Sequence, residues 1–368
     1  MTVFEGLEAQ ELTKRYGPKK ALEEASFVAE KAGFTVLLGP TGAGKTTTLR
    51  LLSGLEPQTK GRIYLDGREV SGLAPKDRDL AMIFDNLALY PNKNGFENLA
   101  SPLVQRKRPL SEIRQKVYSL AEKLNLTLVL DRLPKTMSGG EKQRLALGRA
   151  LVREPRFFLL DEPLSSVDAP LRFKLRSELK RLQKQEARSF LMATPDFAEA
   201  LAVGDKIITL NKGRVTQIAT PKDLYARPVD LTTATFVGSP PINLFKGRFE
   251  GGALSFLGLR CPCPGPLAKI LMASPRDFTV GLRPENAALI LPPNEPRPED
   301  IVGAAPLVDI EPLGRTLAVT LKLNGERLTT LASAAVLSRL TLGQEIKFKI
   351  NEPESVLAFN SAGRNFLA

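Results

Sequence analysis

A glycine-rich segment followed by a lysine and two threonines has the clearest chemical potential in this sequence. It reads Gly39-Pro40-Thr41-Gly42-Ala43-Gly44-Lys45-Thr46-Thr47. Glycines let successive backbone N–H groups point at a polyphosphate, and a helix N-terminus favours the same anion. Lys45 can reach the β- and γ-phosphates of a nucleotide, and the Thr46 hydroxyl can ligate Mg²⁺. The alternative, a flexible glycine-rich turn, fits the flanks less well: an apolar strand, Phe34 to Leu38, precedes the loop, and a helical pattern, Thr46 to Leu52, follows it.

Two adjacent acids end another apolar run. The run Phe157-Phe158-Leu159-Leu160 leads directly into Asp161 and Glu162. Asp161 can belong to the Mg²⁺ shell, and Glu162 can polarise an attacking water. A strand that ends in acids is common by itself. Downstream of a phosphate loop, and followed by Pro163-Leu164-Ser165-Ser166-Val167-Asp168, the pair indicates nucleotide hydrolysis.

A third candidate segment is Ser138-Gly139-Gly140-Glu141, at the start of a helical pattern that runs from about Gly140 to Val152. The serine hydroxyl can cap this helix, and the free N–H groups behind it can face an anion. A plain capped helix remains the alternative.

The elements around these residues alternate between strand and helix. This alternation predicts an α/β fold with a mainly parallel sheet flanked by helices. Apolar residues at helical spacing predict a helix from about Ser101 to Leu130, with Ser111 as a cap. A helix from Leu171 to Lys184 and strands at Phe190–Ala193 and Ile207–Leu210 follow.

The pattern changes near Gly238-Ser239-Pro240-Pro241. Beyond it, short alternating apolar segments punctuated by Gly and Pro predict a small all-β barrel or sandwich. The expected domains are residues 1–237, with a helical subdomain at about 86–153, and residues 238–368.

Composition narrows the functional classes. The chain has 368 residues, a net charge of +12, two cysteines and no histidine. No apolar run approaches the ~18 residues that a membrane-spanning helix needs, and the first residues do not look like an export signal. The basic residues are dispersed, so nucleic acid is not an expected partner. Cys261-Pro262-Cys263-Pro264 is expected to be a Pro-rich turn with free thiols, because a zinc site would lack ligands.

Together, the phosphate loop, the Ser-Gly-Gly segment and the acid pair resemble the nucleotide-binding subunits of ATP-binding-cassette (ABC) transporters. The resemblance implies ATP and Mg²⁺ as cofactors, with Thr46, Asp161 and a residue at position 85 near the metal. Tyr16 matches the aromatic that stacks on adenine, although it could be an ordinary half-buried tyrosine. In this family two subunits pair head to tail, so that Ser138-Gly139-Gly140-Glu141 would act on the partner's ATP.

The C-terminal half extends this resemblance. Val280-Gly281-Leu282-Arg283-Pro284-Glu285 and Ile310-Glu311-Pro312-Leu313-Gly314 resemble the OB-like (TOBE-type) barrel of sugar and polyol importer ATPases. Ala100-Ser101-Pro102-Leu103 and the segment from Arg227 to Ala234 look most like bacterial glycerol importers, which use two different ATPases. The resemblance implies a second ATPase, two transmembrane permeases and, indirectly, a periplasmic or lipoprotein solute-binding protein. It places the chain at the cytoplasmic face of the membrane, peripherally bound.

Two positions depart from the family pattern. The family's switch histidine, in Thr-His-Asp-x-x-Glu-Ala, is Pro195 here, and its loop glutamine is Asp85. Proline has neither a side-chain donor nor an N–H, and Asp85 is shorter and anionic. We therefore expect an ATP site that binds but hydrolyses poorly, in a heterodimer with a different ATPase. The alternatives are tolerated variants in a competent homodimeric sugar importer, a non-transport regulatory ABC protein, and an ABC protein of DNA repair or translation.

Overall fold

The computed structural model describes residues 5–84, 87–164, 169–263, 265–272, 277–298, 300–351 and 355–367. It divides into two compact units, residues 1–221 and 222–368. The division falls ahead of the boundary expected at about residue 237, which remains a prediction. None of the helices in the described residues is long and apolar enough to cross a membrane.

The first unit contains ten strands and six α-helices in its described residues, besides three short 3-10 helices. The strands are β1 (Gly6–Tyr16), β2 (Lys19–Glu30), β3 (Phe34–Leu38), β4 (Lys60–Leu65), β5 (Arg68–Glu69), β6 (Leu80–Ile83), β7 (Phe157–Asp161), β8 (Ser189–Thr194), β9 (Lys206–Asn211) and β10 (Arg214–Ala219). The helices are α1 (Lys45–Ser53), α2 (Gly95–Gln105), α3 (Leu110–Lys123), α4 (Gly139–Leu151), α5 (Ala169–Glu186) and α6 (Phe197–Val203).

Two sheets organise this unit. The larger sheet has the order β10-β9-β3-β8-β7-β6, and all its neighbours are parallel except the β9–β10 pair. Every residue of β3, β7 and β8 is buried, as expected for parallel strands covered on both faces. The smaller sheet is antiparallel, with the order β2-β1-β4-β5. Both sheets contribute to one apolar core, which includes Leu7, Phe27, Leu49, Phe157 and Leu191.

The second unit is mainly antiparallel. Its elements are α7 (Pro221–Ala226, which begins at the boundary), α8 (Leu231–Phe236), β11 (Asn243–Glu250), β12 (Ala253–Phe256), β13 (Leu259–Pro262), α9 (Gly265–Met272), β14 (Asp277–Leu282), β15 (Ala287–Ile290), β16 (Ile301–Pro312), β17 (Thr316–Leu323), β18 (Glu326–Ser333), β19 (Glu345–Ile350) and β20 (Leu357–Phe359). They form two five-stranded sheets, β13-β12-β11-β14-β20 and β15-β19-β16-β17-β18. Phe245, Phe256 and Phe348 lie in their shared core.

Three sequence-based expectations need correction. The helix expected from Ser101 to Leu130 is two helices, α2 and α3, because Pro109 lacks an N–H and disfavours helical geometry in the residue before it. Pro109 also occupies the N-cap position of α3, so Ser111 lies inside the helix and is not its cap. Cys261 and Pro262 belong to strand β13, not to a turn, with Cys261 buried and neither cysteine in a disulfide within the described residues; Pro264 lies outside the described residues.

Candidate functional site

Three neighbouring strands of the parallel sheet bring the candidate residues together. β8 lies between β3 and β7 and pairs with both in parallel. Their carboxyl ends therefore share one edge of the sheet, where α/β proteins commonly bind ligands. The phosphate loop leaves β3 there, Asp161 and Glu162 end β7, and Pro195 follows β8.

The phosphate loop is curled around the lysine side chain. Lys45 is only 4% exposed, and its Nζ donates to the carbonyls of Gly39 and Pro40 at 2.9 and 3.2 Å. Gly44 has a φ of 107°, and a Cβ at that position would lie 2.6 Å from the carbonyl oxygen of Ala21. Only glycine fits there, so the backbone can take the tight path that precedes α1.

The acid pair adjoins this loop. The Thr46 Oγ1 donates to Asp161 Oδ1 at 3.1 Å, which places a hydroxyl and a buried carboxylate side by side, as an Mg²⁺ shell requires. Lys45 Nζ lies 3.5 Å from Glu162 Oε1, and the Glu162 N–H donates to the carbonyl of Ala193 at 3.0 Å. These residues fit Mg-ATP: Lys45 would bind its phosphates, and Thr46 and Asp161 its metal, which supplies a Lewis acid for the transferring phosphoryl group.

A cleft of about 430 Å³ opens over the loop. Predicted residues in its wall include Tyr16, Thr41, Gly42, Thr47 and Glu162. Three further lysines, Lys19, Lys20 and Lys212, also line it, and no motif in the sequence marks them. Cationic walls suit a polyanionic ligand. Lys212 is far from the loop in sequence. The parallel pairing of β9 with β3 brings it to this edge, where the Gly213 N–H donates to the carbonyl of Ala43 at 3.0 Å.

The Ser-Gly-Gly segment lies elsewhere. Ser138 caps α4, and Ser138 and Glu141 form a reciprocal capping box: the Glu141 N–H donates to Ser138 Oγ, and the Ser138 N–H donates to Glu141 Oε2 at 2.6 Å. A side chain at Gly139 would meet nothing within 4 Å, so this helix start is open. Within the described part of the chain, neither Ser138, Gly139, Gly140 nor Glu141 lines the cleft.

A compact polar network surrounds Pro195. Thr194 Oγ1 donates to Glu199 Oε2 at 2.7 Å and accepts from the Asp196 N–H at 3.0 Å, while the Glu199 N–H donates to Asp196 Oδ1 at 3.1 Å. Arg172 of α5 lies 3.7 Å from Glu199 and 3.8 Å from Asp196. Burial raises the pKa of the Glu199 carboxyl, against the hydrogen bond from Thr194. Asp85 and the segment Ser165–Asp168 lie outside the described residues.

Comparisons with known proteins identify the class of protein to which this chain belongs. Residues 22–165 match the ABC transporter family model, and residues 238–287 match the MalK OB fold domain. A solved dimeric ATP-binding cassette, in a post-hydrolysis state with ADP and Pi, is 26% identical, with a TM-score of 0.54 over 58% of this chain and 98% of the other. The first unit is thus an ABC ATPase fold, followed by an OB-fold domain.

Two relatives that match most of the chain identify its family more closely. The trehalose/maltose import ATP-binding protein MalK of Thermococcus litoralis is 38% identical over 93% of this chain and 94% of its own length. The sn-glycerol-3-phosphate import ATP-binding protein UgpC of Pectobacterium atrosepticum is 41% identical over 77% of this chain and 80% of its own length. This chain therefore belongs to the ATP-binding subunits of ABC sugar and polyol importers. The family binds ATP with Mg²⁺, hydrolyses ATP and works with transmembrane permeases.

Proposed function

We propose that this importer subunit holds Mg-ATP in a pocket that hydrolyses it slowly, and that it works in a heterodimer with a different, catalytically competent ATPase. In its own pocket Tyr16 stacks on adenine, the loop from Gly39 to Thr47 holds the phosphates, and Glu162 is the residual base. The transported solute is a sugar or polyol, with glycerol as the candidate from the segments around Ala100 and Arg227.

The loop after β8 supports this proposal most directly. Its flanking residues, Thr194 and Asp196, are engaged in the polar network with Glu199 and Arg172. The loop is therefore held beside Glu162, whose N–H bonds to the carbonyl of Ala193. Pro195 sits at the position from which the family's histidine would donate, and it has no donor to offer. Removing one preorganised donor typically costs ~10²–10³ in rate.

The replacement of glutamine by Asp85 acts in the same direction. A carboxylate there repels both the γ-phosphate and a water-derived hydroxide, although it can still approach Mg²⁺. A homodimer would carry Asp85 and Pro195 in both of its ATP sites, with no histidine anywhere in the sequence to substitute. A heterodimer resolves this, because the open helix start at Ser138 can complete a partner pocket that has its own histidine and glutamine.

A surface groove lined in part by Ile83 and Leu87 supports docking to the permeases. It has a volume of about 520 Å³ and is also lined by Tyr90, Pro102 and Arg149, among others. Arg149 of α4 donates to the carbonyls of Ala88 and Leu87 at 2.8 and 3.2 Å, which ties this segment to the helix that Ser138 starts. Docking at this groove would place the subunit at the cytoplasmic face of the membrane and near both halves of the ATP machinery.

Turnover of the purified complex tests the assignment of the two ATP sites. Glu162→Gln in this chain should barely reduce ATPase activity, because its own pocket contributes little. Ser138→Arg should nearly stop activity, because it blocks the partner's pocket. Mass spectrometry of the same complex should identify two permeases and a second ATPase.

The opposite pattern, with Glu162→Gln inactivating and Ser138→Arg silent, would reverse the assignment. A complex with two copies of this chain and high turnover would establish the competent homodimer instead. Co-purification with nucleic acid or a cytosolic regulator, without permeases, would favour a non-transport role.

A further inference from the structure

The hydroxyl of Tyr16 is held by a carboxylate in another segment of the first unit. It donates to Glu56 Oε2 and lies within hydrogen-bond reach of Thr47. Thr47 belongs to the first turn of α1, and Glu56 follows the end of the same helix. The first turn of this helix and a residue just beyond its C-terminal end therefore both contact this one tyrosine.

Two cations hold Glu56 in turn. Arg50 Nη1 lies 3.4 Å from Glu56 Oε1, and Lys14 Nζ lies 3.6 Å from Glu56 Oε2. Lys14 also donates to the carbonyl of Pro57 at 2.7 Å, and its ammonium lies 5.0 Å from the centroid of the Tyr16 ring. The carboxylate is thus fixed by charge from two sides while it orients the tyrosine.

This arrangement gives an exposed aromatic side chain a fixed partner. Tyr16 is 44% exposed and lines the nucleotide cleft, so apolar packing alone does not define the position of its ring. When the ring is already oriented, a base can stack on it without further ordering. When the ring is mobile, binding of the base carries the entropy cost of ordering the ring. The Glu56 tether provides that order, and it fixes the ring relative to α1 and hence to the phosphate loop.

We propose that Glu56 is a positioning residue for nucleobase recognition, which acts by holding Tyr16 at a fixed distance from the phosphate loop. This inference rests on the proposed nucleotide site, and it adds a residue that sets affinity for the base and not for the phosphates. Glu56 does not line the cleft in the described part of the chain, so it acts only through the tyrosine.

The two pKa directions agree with a permanent tether. Burial, and then the hydrogen bond to Glu56, raise the pKa of the Tyr16 hydroxyl, so it remains a donor above its usual range. The Tyr16 hydroxyl holds the pKa of Glu56 below its usual range, so this carboxylate remains an acceptor in mild acid. The bond is lost only as the pH falls through the depressed pKa of Glu56 or rises through that of Tyr16. This pair should therefore add no pH dependence to ATP binding between about pH 6 and 9.

Calorimetry on the full chain, with two ligands and Mg²⁺, tests the proposal. Glu56→Gln should weaken ATP binding about tenfold, the scale of one charge-assisted hydrogen bond. The same variant should change inorganic tripolyphosphate binding less than about twofold, because this ligand has no base. Glu69→Gln, an exposed acid on β5, is the matched control and should leave both ligands unaffected.

A second variant keeps the test independent of any misfolding of Glu56→Gln. Tyr16→Phe retains the ring but removes the hydroxyl, so it should weaken ATP binding to a similar extent. In that background Glu56→Gln should have no further effect, because the two residues act through one bond.

Three outcomes overturn the inference. Equal weakening of ATP and tripolyphosphate would mean that Glu56 shapes α1 and not the ring. Unchanged ATP binding by Glu56→Gln, while Lys45→Ala abolishes it, would reject the tether and leave the proposed nucleotide site intact. If the folded wild-type chain binds no ATP, both the proposed nucleotide site and the positioning role of Glu56 are wrong.

Discussion

At the residue scale, this chain has the complete glycine-rich loop and a proline where the family pattern has a histidine. Lys45 donates to the carbonyl of Gly39 and Thr46 donates to Asp161, as the proposed Mg-ATP site requires. The network around Pro195 fixes the residues on both sides of it and does not depend on its side chain. Position 195 can therefore change without rebuilding the loop.

This independence predicts a gain of function. The double variant Asp85→Gln/Pro195→His should raise the ATPase rate of the purified full chain at least ~10-fold, because it returns two donors to the transition state. Adding Lys45→Ala should return the rate to background and serves as the control. Phosphate release measured at saturating ATP checks the result. An unchanged rate would mean that these two positions do not limit hydrolysis.

At the element scale, a buried arginine holds the far end of the phosphate-loop helix. Arg78 is 2% exposed and donates to the carbonyls of Leu51, Leu52, Ser71 and Leu73 at 2.8–2.9 Å. Two of these carbonyls belong to the last turn of α1, where a cation also complements the helix dipole. Gly54 caps that turn with a φ of 79°, and a Cβ there would lie 2.6 Å from the guanidinium.

Removing this guanidinium should destabilise the fold. Arg78→Met keeps the aliphatic volume but leaves buried carbonyls without a donor, so we expect a loss of about 3 kcal/mol in the free energy of unfolding. Urea unfolding of the first unit, monitored by circular dichroism, measures this loss of free energy. Arg68→Met, on the exposed strand β5, should change the same free energy by less than ~0.5 kcal/mol. A loss below ~1 kcal/mol for Arg78→Met would show that water or other donors satisfy these carbonyls.

The elements also show what could be predicted from the sequence. The phosphate loop and the acid pair are local patterns, and their strand contexts were predicted correctly because periodicity and glycine spacing report on neighbours along the chain. The break before Pro109 was missed although residues 105–109 carry no aliphatic or aromatic side chain other than the proline ring, because the regular apolar spacing that follows was extended back over them. Arg78 and Glu56 were missed for a different reason. Their partners are carbonyls or side chains in other segments, and only the fold brings them together.

At the scale of the whole molecule, the chain is two compact units with separate apolar cores. The residues of the candidate ATP cleft all lie in the first unit. Ligand binding to one unit stabilises that unit by RT ln(1 + [L]/Kd). Unfolding of such a chain is not expected to be a single two-state transition.

We therefore expect two calorimetric unfolding transitions. Mg-ATP should raise the midpoint temperature of only one of them. At a free ATP concentration of 100 times Kd, the stabilisation should be about 2.7 kcal/mol. Lys45→Ala should abolish the shift; because it also removes two hydrogen bonds to loop carbonyls, its shift is measured against the same variant without nucleotide. One transition that moves as a whole on adding ATP would show that the two units unfold together.

The parallel pairing of β3 also determines when this molecule can become functional during its synthesis. β3 carries the phosphate loop, but its two neighbours in the sheet are β8 and β9, which lie more than 150 residues further along. Ribosomes add about 5–20 residues per second, so the central strand waits on the order of ten seconds or more for its partners. The contact between Gly213 and Ala43 that closes the loop forms later still. A nascent chain released before residue 206 should therefore fail to retain ATP on a filter, although it already contains the complete glycine-rich segment.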